Sequence, residues 1–244
     1  MGGIFENKVA LVTGAAGGLG RAVAVMLAQR GARITMTDRS GTGLDVSAKA
    51  VGGSVLDLEA ELADSQACND LVACTLERFC RLDILVNVAG DYTGAPVEDL
   101  NDEIWQAMFE ANLVSTFNMM KSAVPSMRKQ GNGGIINISS VDAHLPKPGM
   151  VHYSASKAGV NSLTRSFAAA YGPDGIRVNG VAPGPVATER AKRADFLERE
   201  RANTVLDRVA EPEDIAEVVS FLASDASRSI TGETVVAGCG YGMR

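Results

Sequence analysis

Short apolar runs alternate along this chain with longer stretches whose apolar residues recur at helical spacing. Lys8 to Thr13, Ala32 to Asp38, Leu82 to Asn87 and Ile135 to Ile138 are short runs that read as strands, the last two buried. Between the first two, Val23, Leu27 and Ala28 mark one helical face that Gly31 terminates. Further helices are predicted from about Asp64 to Phe79, from Asn101 to about Lys129, and from Glu211, where Pro212 suits a first turn. Gly175 to Gly184 reads as a turn, a strand and a Pro-Gly bend. Strand and helix alternating in this way predict an α/β fold with a doubly wound parallel sheet.

The first β-α-β unit carries chemistry. Strand 8–13 runs directly into Gly14-Ala-Ala-Gly17-Gly18-Leu19-Gly20, and a helix follows. Missing side chains at such a turn let backbone amides approach a pyrophosphate, and the helix N-terminus adds positive partial charge. Asp38 ends the next strand, eighteen residues past Gly20, where a carboxylate accepts hydrogen bonds from ribose hydroxyls and repels a 2'-phosphate. This favours NAD; Arg39, next in the chain, is a guanidinium able to hold the phosphate of NADP instead.

A second constellation lies between residues 140 and 157. Tyr153 and Lys157 are four apart and share one face of a helix. A neighbouring ammonium favours the phenolate, so the expectation is that Lys157 lowers the Tyr153 pKa and makes it a general acid/base. Ser140, thirteen residues upstream, follows the apolar run 135–138, so a strand end presents its hydroxyl to the same place. The intervening segment holds Pro146, Pro148 and Gly149 and reads as a loop, with His144 and His152 as polar loop residues and Asp142, His144 and Met150 as pocket lining, together with Asp91 and Tyr92.

Composition narrows the class. The 244 residues are 46% apolar, enough for one large domain. A net charge of −6 gives no reason to expect nucleic acid or an anionic membrane as partner. Neither a signal peptide, a myristoylation site nor a run of membrane-spanning length is read, so a cytoplasmic location is expected. Cys68, Cys74, Cys80 and Cys239 have neither metal-ligand nor redox spacing; no metal is expected, and the four are read as small packing residues.

Taken together, Thr13-Gly-x-x-x-Gly-x-Gly20, Asn87-x-Ala89-Gly90, Ser140 and Tyr153-x-x-x-Lys157 resemble the signature set of the short-chain dehydrogenase/reductase family over nearly the whole chain. The resemblance implies a single Rossmann-like domain over residues 1–244 with about seven parallel strands, and a homo-oligomer, tetramer or dimer. It implies Asn112, Ser140, Tyr153 and Lys157 as the catalytic set, with Asn112 interrupting its helix. It also implies cofactor contacts from Gly14, Gly17, Gly18, Leu19, Gly20, Asp38, Glu61, Leu62, Asn87, Ala89, Gly90, Tyr153 and Lys157, and from Pro183, Gly184, Val186 and Thr188 beyond the catalytic helix. Residues 188–208 correspond to a mobile substrate lid; its Arg190, Lys192 and Arg193 could steer an anionic substrate, but neighbouring Glu189, Asp195 and Glu198 favour a plain solvated face. Val88 replaces the family's second Asn, which lowers the expected local rigidity; Cys80 replaces a glycine, and Val-Ala-Gly-Cys-Gly at 236–240 departs from the family's C-terminal pattern.

Three functions follow from these residues. The first is hydride transfer between NAD(H) and a small secondary alcohol or ketone. The second is an NADP-dependent reductase of 3-oxoacyl groups on acyl carrier protein, for which Arg128 and Lys129 offer a partial docking patch. The third, a non-catalytic nucleotide sensor, leaves the acid/base tetrad without a purpose.

Overall fold

A computed structural model of the protein describes residues 3–39, 41–189, 191 and 194–243. Seven parallel strands form one sheet in the order β3-β2-β1-β4-β5-β6-β7. They are β1 (Val9–Thr13), β2 (Arg33–Asp38), β3 (Val55–Glu59), β4 (Ile84–Asn87), β5 (Gly133–Ile138), β6 (Ile176–Pro183) and β7 (Thr234–Ala237). The chain winds outward from β1 in one direction and then, from β4, in the other. The switch between β1 and β4 opens a crevice at the strands' C-terminal ends, where ligands of such sheets bind.

Helices cover both faces: α1 (Gly18–Gln29), α2 (Gly41–Val51), α3 (Ser65–Phe79), α4 (Asp102–Phe109), α5 (Ser115–Gln130), α6 (Val151–Tyr171), α7 (Ala194–Arg201) and α8 (Pro212–Ala223). One core layer joins Val23 and Leu27 of α1 and Ile215 and Val219 of α8 to Val12 and Val86 of the sheet. The other joins Leu71 of α3 and Met119, Met120 and Ala123 of α5 to Leu11, Leu85 and Ile135. Alternate residues of β1, Leu11 and Val12, thus enter opposite layers, and for this reason the strand must be apolar throughout.

Helix boundaries follow local chemistry. The Asp64 carboxylate caps α3 by accepting from the Gln66 N–H at 2.8 Å. Glu211 and Asp214 form a reciprocal box at the start of α8, with Pro212 in its first turn. The helix expected over 101–129 is two helices joined by a π-helical turn, Glu110–Val114. The loop expected before Tyr153 ends earlier than read, because α6 begins at Val151.

Two readings of side-chain environment are corrected. Cys68 is buried as expected, but Cys74 and Cys80 are exposed, and Cys80 takes the left-handed C-cap of α3 at φ 65°. His152 is no loop residue: it lies within α6 with 0% exposure, and neither ring nitrogen has a hydrogen-bond partner among the described residues.

Candidate active site

Four segments meet at the C-terminal edge of the sheet. Beyond β5, Ser140 Oγ accepts a hydrogen bond from the Asp142 N–H at 3.1 Å and stands close enough to the Tyr153 side chain to act on its ionisation. Tyr153 sits on the first turns of α6. One turn on, Lys157 lies 5.9 Å by its Nζ from the Tyr153 ring centre and donates to the Ile138 carbonyl at 2.9 Å. That bond joins the catalytic helix to the end of β5, and so strand end and helix face converge at one point.

Asn112 occupies the middle of the π-helical turn and is fully buried. A π-turn widens the backbone hydrogen-bonding pattern locally and frequently marks a functional site. The Asn112 amide donates to the Asp91 carbonyl at 2.9 Å and Ser156 Oγ at 3.2 Å, while its Oδ1 accepts from the Asp91 N–H at 3.0 Å. A Cβ at Gly90 would overlap Asn112 Oδ1 and stand 3.3 Å from Lys157 Nζ. The turn after β4, the π-turn and the Lys157 ammonium therefore form one cluster, and a side chain at residue 90 would split it.

Electrostatics differ from expectation at one point. Burial, not the lysine, dominates Tyr153 and pushes it up to about 12, with Ser140 pulling the other way. Burial also pushes Lys157 down to about 8. The expected lowering of the phenol by Lys157 is thus not what these surroundings produce, since the ammonium is itself desolvated and committed to Ile138. Tyr153 here is a neutral phenol, poised as a proton donor.

The glycine turn between β1 and α1 has the shape a pyrophosphate needs. Gly14 adopts φ 65°, and a Cβ there would come within 2.7 Å of the Ala89 nitrogen. Gly17 caps α1 without a side chain, and the first turn carries no acidic residue, so the leading amides and the positive end of the helix face the crevice. Leu19 packs against the core under this turn, and Gly20 is buried in it. From the far side Thr188 approaches: a Cβ on Gly18 would lie 3.5 Å from the Thr188 Cβ.

Asp38, half-buried at the end of β2, accepts from the Ala16 N–H at 3.1 Å and the Arg39 N–H at 2.8 Å. It braces the glycine turn and keeps carboxylate lone pairs for a further donor. These features fit a dinucleotide. Other expected contacts differ in kind. Glu61 is exposed, whereas the Leu62 side chain joins the core and its carbonyl accepts from Asn118 at 3.1 Å. The Asn87 side chain points within the sheet to Asn137 at 2.8 Å. Ala89 packs partly buried beside Gly90, and Pro183 and Gly184 end β6, where a Cβ on Gly184 would meet Gly238. Val186 pairs with Ala210.

Sequence reading missed a support: Thr13 Oγ1 accepts from the Val88 and Ala89 N–H groups at 3.0 and 3.1 Å. That clamp orders the turn where Val88 lacks the family's asparagine amide, and a Thr at a strand end beside the glycine turn was its visible signal. His144 is turned to Asn161 at 3.2 Å rather than toward Tyr153. Met150 packs by its sulfur against Gly94, closing the loop after β4 onto α6. Arg190, Lys192 and Arg193, weighed between steering an anion and a plain solvated face, lie outside the described residues. Among the described residues, no group of three or more His, Cys, Asp or Glu is placed to hold a metal ion.

A dinucleotide-shaped crevice joined to a Ser-Tyr-Lys cluster defines an oxidoreductase of doubly wound α/β architecture. The chain belongs to the short-chain dehydrogenase/reductase family. Residues 14–242 match a family model described as enoyl-(acyl carrier protein) reductase. The chain is 37% identical over 236 residues to a 3-oxoacyl-(acyl-carrier-protein) reductase of Thermotoga maritima, covering 95% of this chain and 96% of the relative. It is 36% identical over 242 residues to an L-rhamnose 1-dehydrogenase (NAD(P)(+)) of a Sphingomonas species, covering 96% and 95%. Carveol dehydrogenase of Mycobacterium avium, solved in complex with NAD, superposes with a TM-score of 0.93 at 31% identity over 99% of this chain and 100% of that one.

Proposed function

We propose that the protein interconverts a secondary alcohol and its ketone, using NAD(H) in preference to NADP(H). The observation that carries this reading is the convergence of Ser140, Tyr153 and Lys157 beside a glycine-lined crevice. A bound nicotinamide supplies or accepts the hydride. Every other task falls to side chains. In reduction the neutral Tyr153 hydroxyl gives its proton to the carbonyl oxygen, and the Ser140 hydroxyl donates to that same oxygen as negative charge develops on it. Lys157 is placed to hold a ribose hydroxyl and to replace the proton on Tyr153. Asn112 fixes the Asp91 backbone and Ser156, so that the proton path behind Lys157 keeps its shape.

Asp38 supports the NAD preference by charge and position. Ile104, Trp105, Val114 and Phe117, between 36% and 41% exposed on α4, the π-turn and α5, support a homodimer or homotetramer. Among the described residues no helix is long and apolar enough to cross a membrane; a cytoplasmic enzyme acting on small molecules accords with that.

The relative from Thermotoga favours a second reading, NADP-dependent reduction of 3-oxoacyl groups on acyl carrier protein. Against it, Arg128 is paired with Asp174 at 2.8 Å, and it precedes β5 while Ser140 follows it. A strand of six residues puts about 20 Å between patch and site within one protomer. The test is a panel of alcohols, ketones and 3-oxoacyl thioesters followed by cofactor absorbance with both NAD(H) and NADP(H). Tyr153→Phe should lose about 10²- to 10⁴-fold in rate with cofactor affinity retained; activity within a few fold of wild type removes Tyr153 from the chemistry.

A further inference from the structure

Beyond β7 the C-terminal tail reaches back to two other parts of the chain. On one side the Val205 and Leu206 N–H groups donate to the Cys239 carbonyl at 3.0 and 3.1 Å, and the Gly242 N–H donates to the Asn203 carbonyl at 3.2 Å. On the other side the tail meets the loop between β5 and α6. A Cβ on Gly242, whose φ is 73°, would stand 2.5 Å from Leu145 Cδ1. The tail is therefore packed between the segment that follows α7 and the loop that carries Ser140.

Lys147 is a charge that these segments share. Its Nζ donates to the Tyr241 hydroxyl of the tail at 3.2 Å, and it lies 3.9 Å from both Asp142 Oδ1 of the loop and Glu200 Oε2 of α7. Both of those oxygens are closed off from solvent, and neither has a hydrogen-bond donor among the described residues. Their compensation is the field of the ammonium, which at 3.9 Å attracts without closing a hydrogen bond. Burial opposes the charge on Lys147, yet Asp142, Tyr241 and Glu200 together hold it above its ordinary range. One ammonium between two carboxylates under-compensates them, and burial keeps Asp142 above its usual range despite Lys147. Asp142 is thus held at two points, its carboxylate beside Lys147 and its N–H on Ser140 Oγ at 3.1 Å.

We propose that Lys147 is a positioning residue for the reaction: its ammonium ties α7 and the C-terminal tail to the catalytic loop and, through Asp142, fixes the Ser140 hydroxyl. The inference rests on the role given to Ser140 in the alcohol/ketone reading above. Without the ammonium, Asp142 and Glu200 become two buried carboxylates with nothing between them but repulsion, and breaking a buried charge set by removing one member is strongly unfavourable. The strain is relieved by α7 and the tail moving off the loop, or by Asp142 turning outward. Either movement shifts the N–H that Ser140 Oγ accepts from, and displacing a group that stabilises developing charge by a fraction of a bond length slows the chemical step. The cofactor crevice stands apart from this effect, since the glycine turn and Asp38 touch none of the four residues.

The test uses the full-length enzyme with Lys147→Met, Lys147→Arg and Tyr241→Phe, each checked for folding by circular dichroism. Hydrogen exchange read by mass spectrometry needs no substrate. Peptides spanning 194–206 and 238–243 are expected to exchange about fivefold faster or more in Lys147→Met, with α1 unchanged and Lys147→Arg close to wild type. With the panel compound that wild type turns over fastest, Lys147→Met is expected to lower kcat about tenfold or more while NAD binding, measured by titration, stays within about twofold. Lys147→Arg, which keeps the charge, is expected to restore kcat to within about threefold. Placed in a Ser140→Ala background, the same Met substitution should cost less than about threefold, because the group it positions is already gone. Unchanged exchange, an unchanged kcat in folded Lys147→Met, failure of Arg to restore it, or an undiminished effect beside Ser140→Ala each overturns the assignment and leaves the oxidoreductase standing. If Lys147→Met does not fold, Tyr241→Phe, which removes one hydroxyl from Lys147, decides: faster exchange in both segments with a lower kcat supports the assignment, and neither overturns it. A wild type that turns over no alcohol or ketone with either cofactor overturns the alcohol/ketone reading and this role with it.

Discussion

Replacing Asp38 by Asn removes a charge while leaving most of the structure intact, and so isolates the origin of cofactor choice. The Asp38 carboxylate is bound by the Ala16 and Arg39 N–H groups at 3.1 and 2.8 Å, and an amide oxygen can keep the first of these. What Asn cannot keep is the negative charge, which on the NAD reading proposed above would face the 2'-phosphate of NADP. Two unit charges at ~4 Å interact by about 4 kcal/mol at an effective dielectric near 20. Because Asp38 is only half-buried and the Arg39 guanidinium is next to it, about half of that is a reasonable expectation. At roughly tenfold per 1.4 kcal/mol, ~2 kcal/mol is about 30-fold. Asp38→Asn should therefore reduce the NAD/NADP ratio of kcat/KM by about 30-fold, chiefly by improving NADP. Asp38→Ala should go further and weaken NAD as well, since it also strips the Ala16 amide of its acceptor. The assay is initial rate against concentration for both cofactors in the wild type and both variants. A wild type that prefers NADP, or an Asn variant whose ratio stays within threefold, refutes the reasoning and assigns the choice to Arg39.

Lys157 offers a test by stability. Its folded pKa of about 8 lies below its ordinary 10.5, so between those values the unfolded chain binds more protons and unfolding becomes harder as pH rises. Urea midpoints at pH 7.5 and 9.5 should show wild type gaining on Lys157→Met; a constant gap means the ammonium is not desolvated. The window stays below pH 10 because the raised Tyr153 contributes the opposite sign above that. Lys157→Met should also weaken cofactor binding, measured by titration. Cys80 and Cys74 should respond to glycine with opposite signs, although both are exposed on or beside α3. Cys80→Gly relieves a left-handed residue and should stabilise by about 0.5–1 kcal/mol, raising Tm by about 1–4 °C. Cys74→Gly, inside the helix, should destabilise by about 0.3–0.5 kcal/mol, the gap between cysteine and glycine in helix propensity. The same sign for both would show that the φ of residue 80 carries no strain.

Features that depend on local chain chemistry were legible along the sequence. Short, apolar-rich runs such as 82–87 and 135–138 read as buried strands, because segments of that length rich in branched apolar residues fit a sheet covered on both faces. The glycines of 14–20, the acid at 38 and the four-residue step from Tyr153 to Lys157 likewise declared their geometry through backbone freedom and helix period. β3 and β7 could not be separated in that way: one is a short, mostly half-buried edge strand whose apolar residues are interrupted by Asp57, and the other, although it reads Thr-Val-Val-Ala, is a four-residue edge strand that carries Val236 to solvent. Which side chains face each other was also beyond reach, since it depends on packing between segments distant in the chain. Tyr153 and Lys157 were read as a phenol lowered by an ammonium, yet burial beneath three other segments raises the phenol and depresses the lysine. His152, one residue from Tyr153, was read as a polar loop residue, and only the position of α6 against the rest of the fold buries it. The Asp142, Lys147, Glu200 and Tyr241 cluster spans 100 residues of sequence and has no motif. Periodicity reports what a segment does with its own neighbours, whereas desolvation and charge pairing are set by whatever the fold brings alongside.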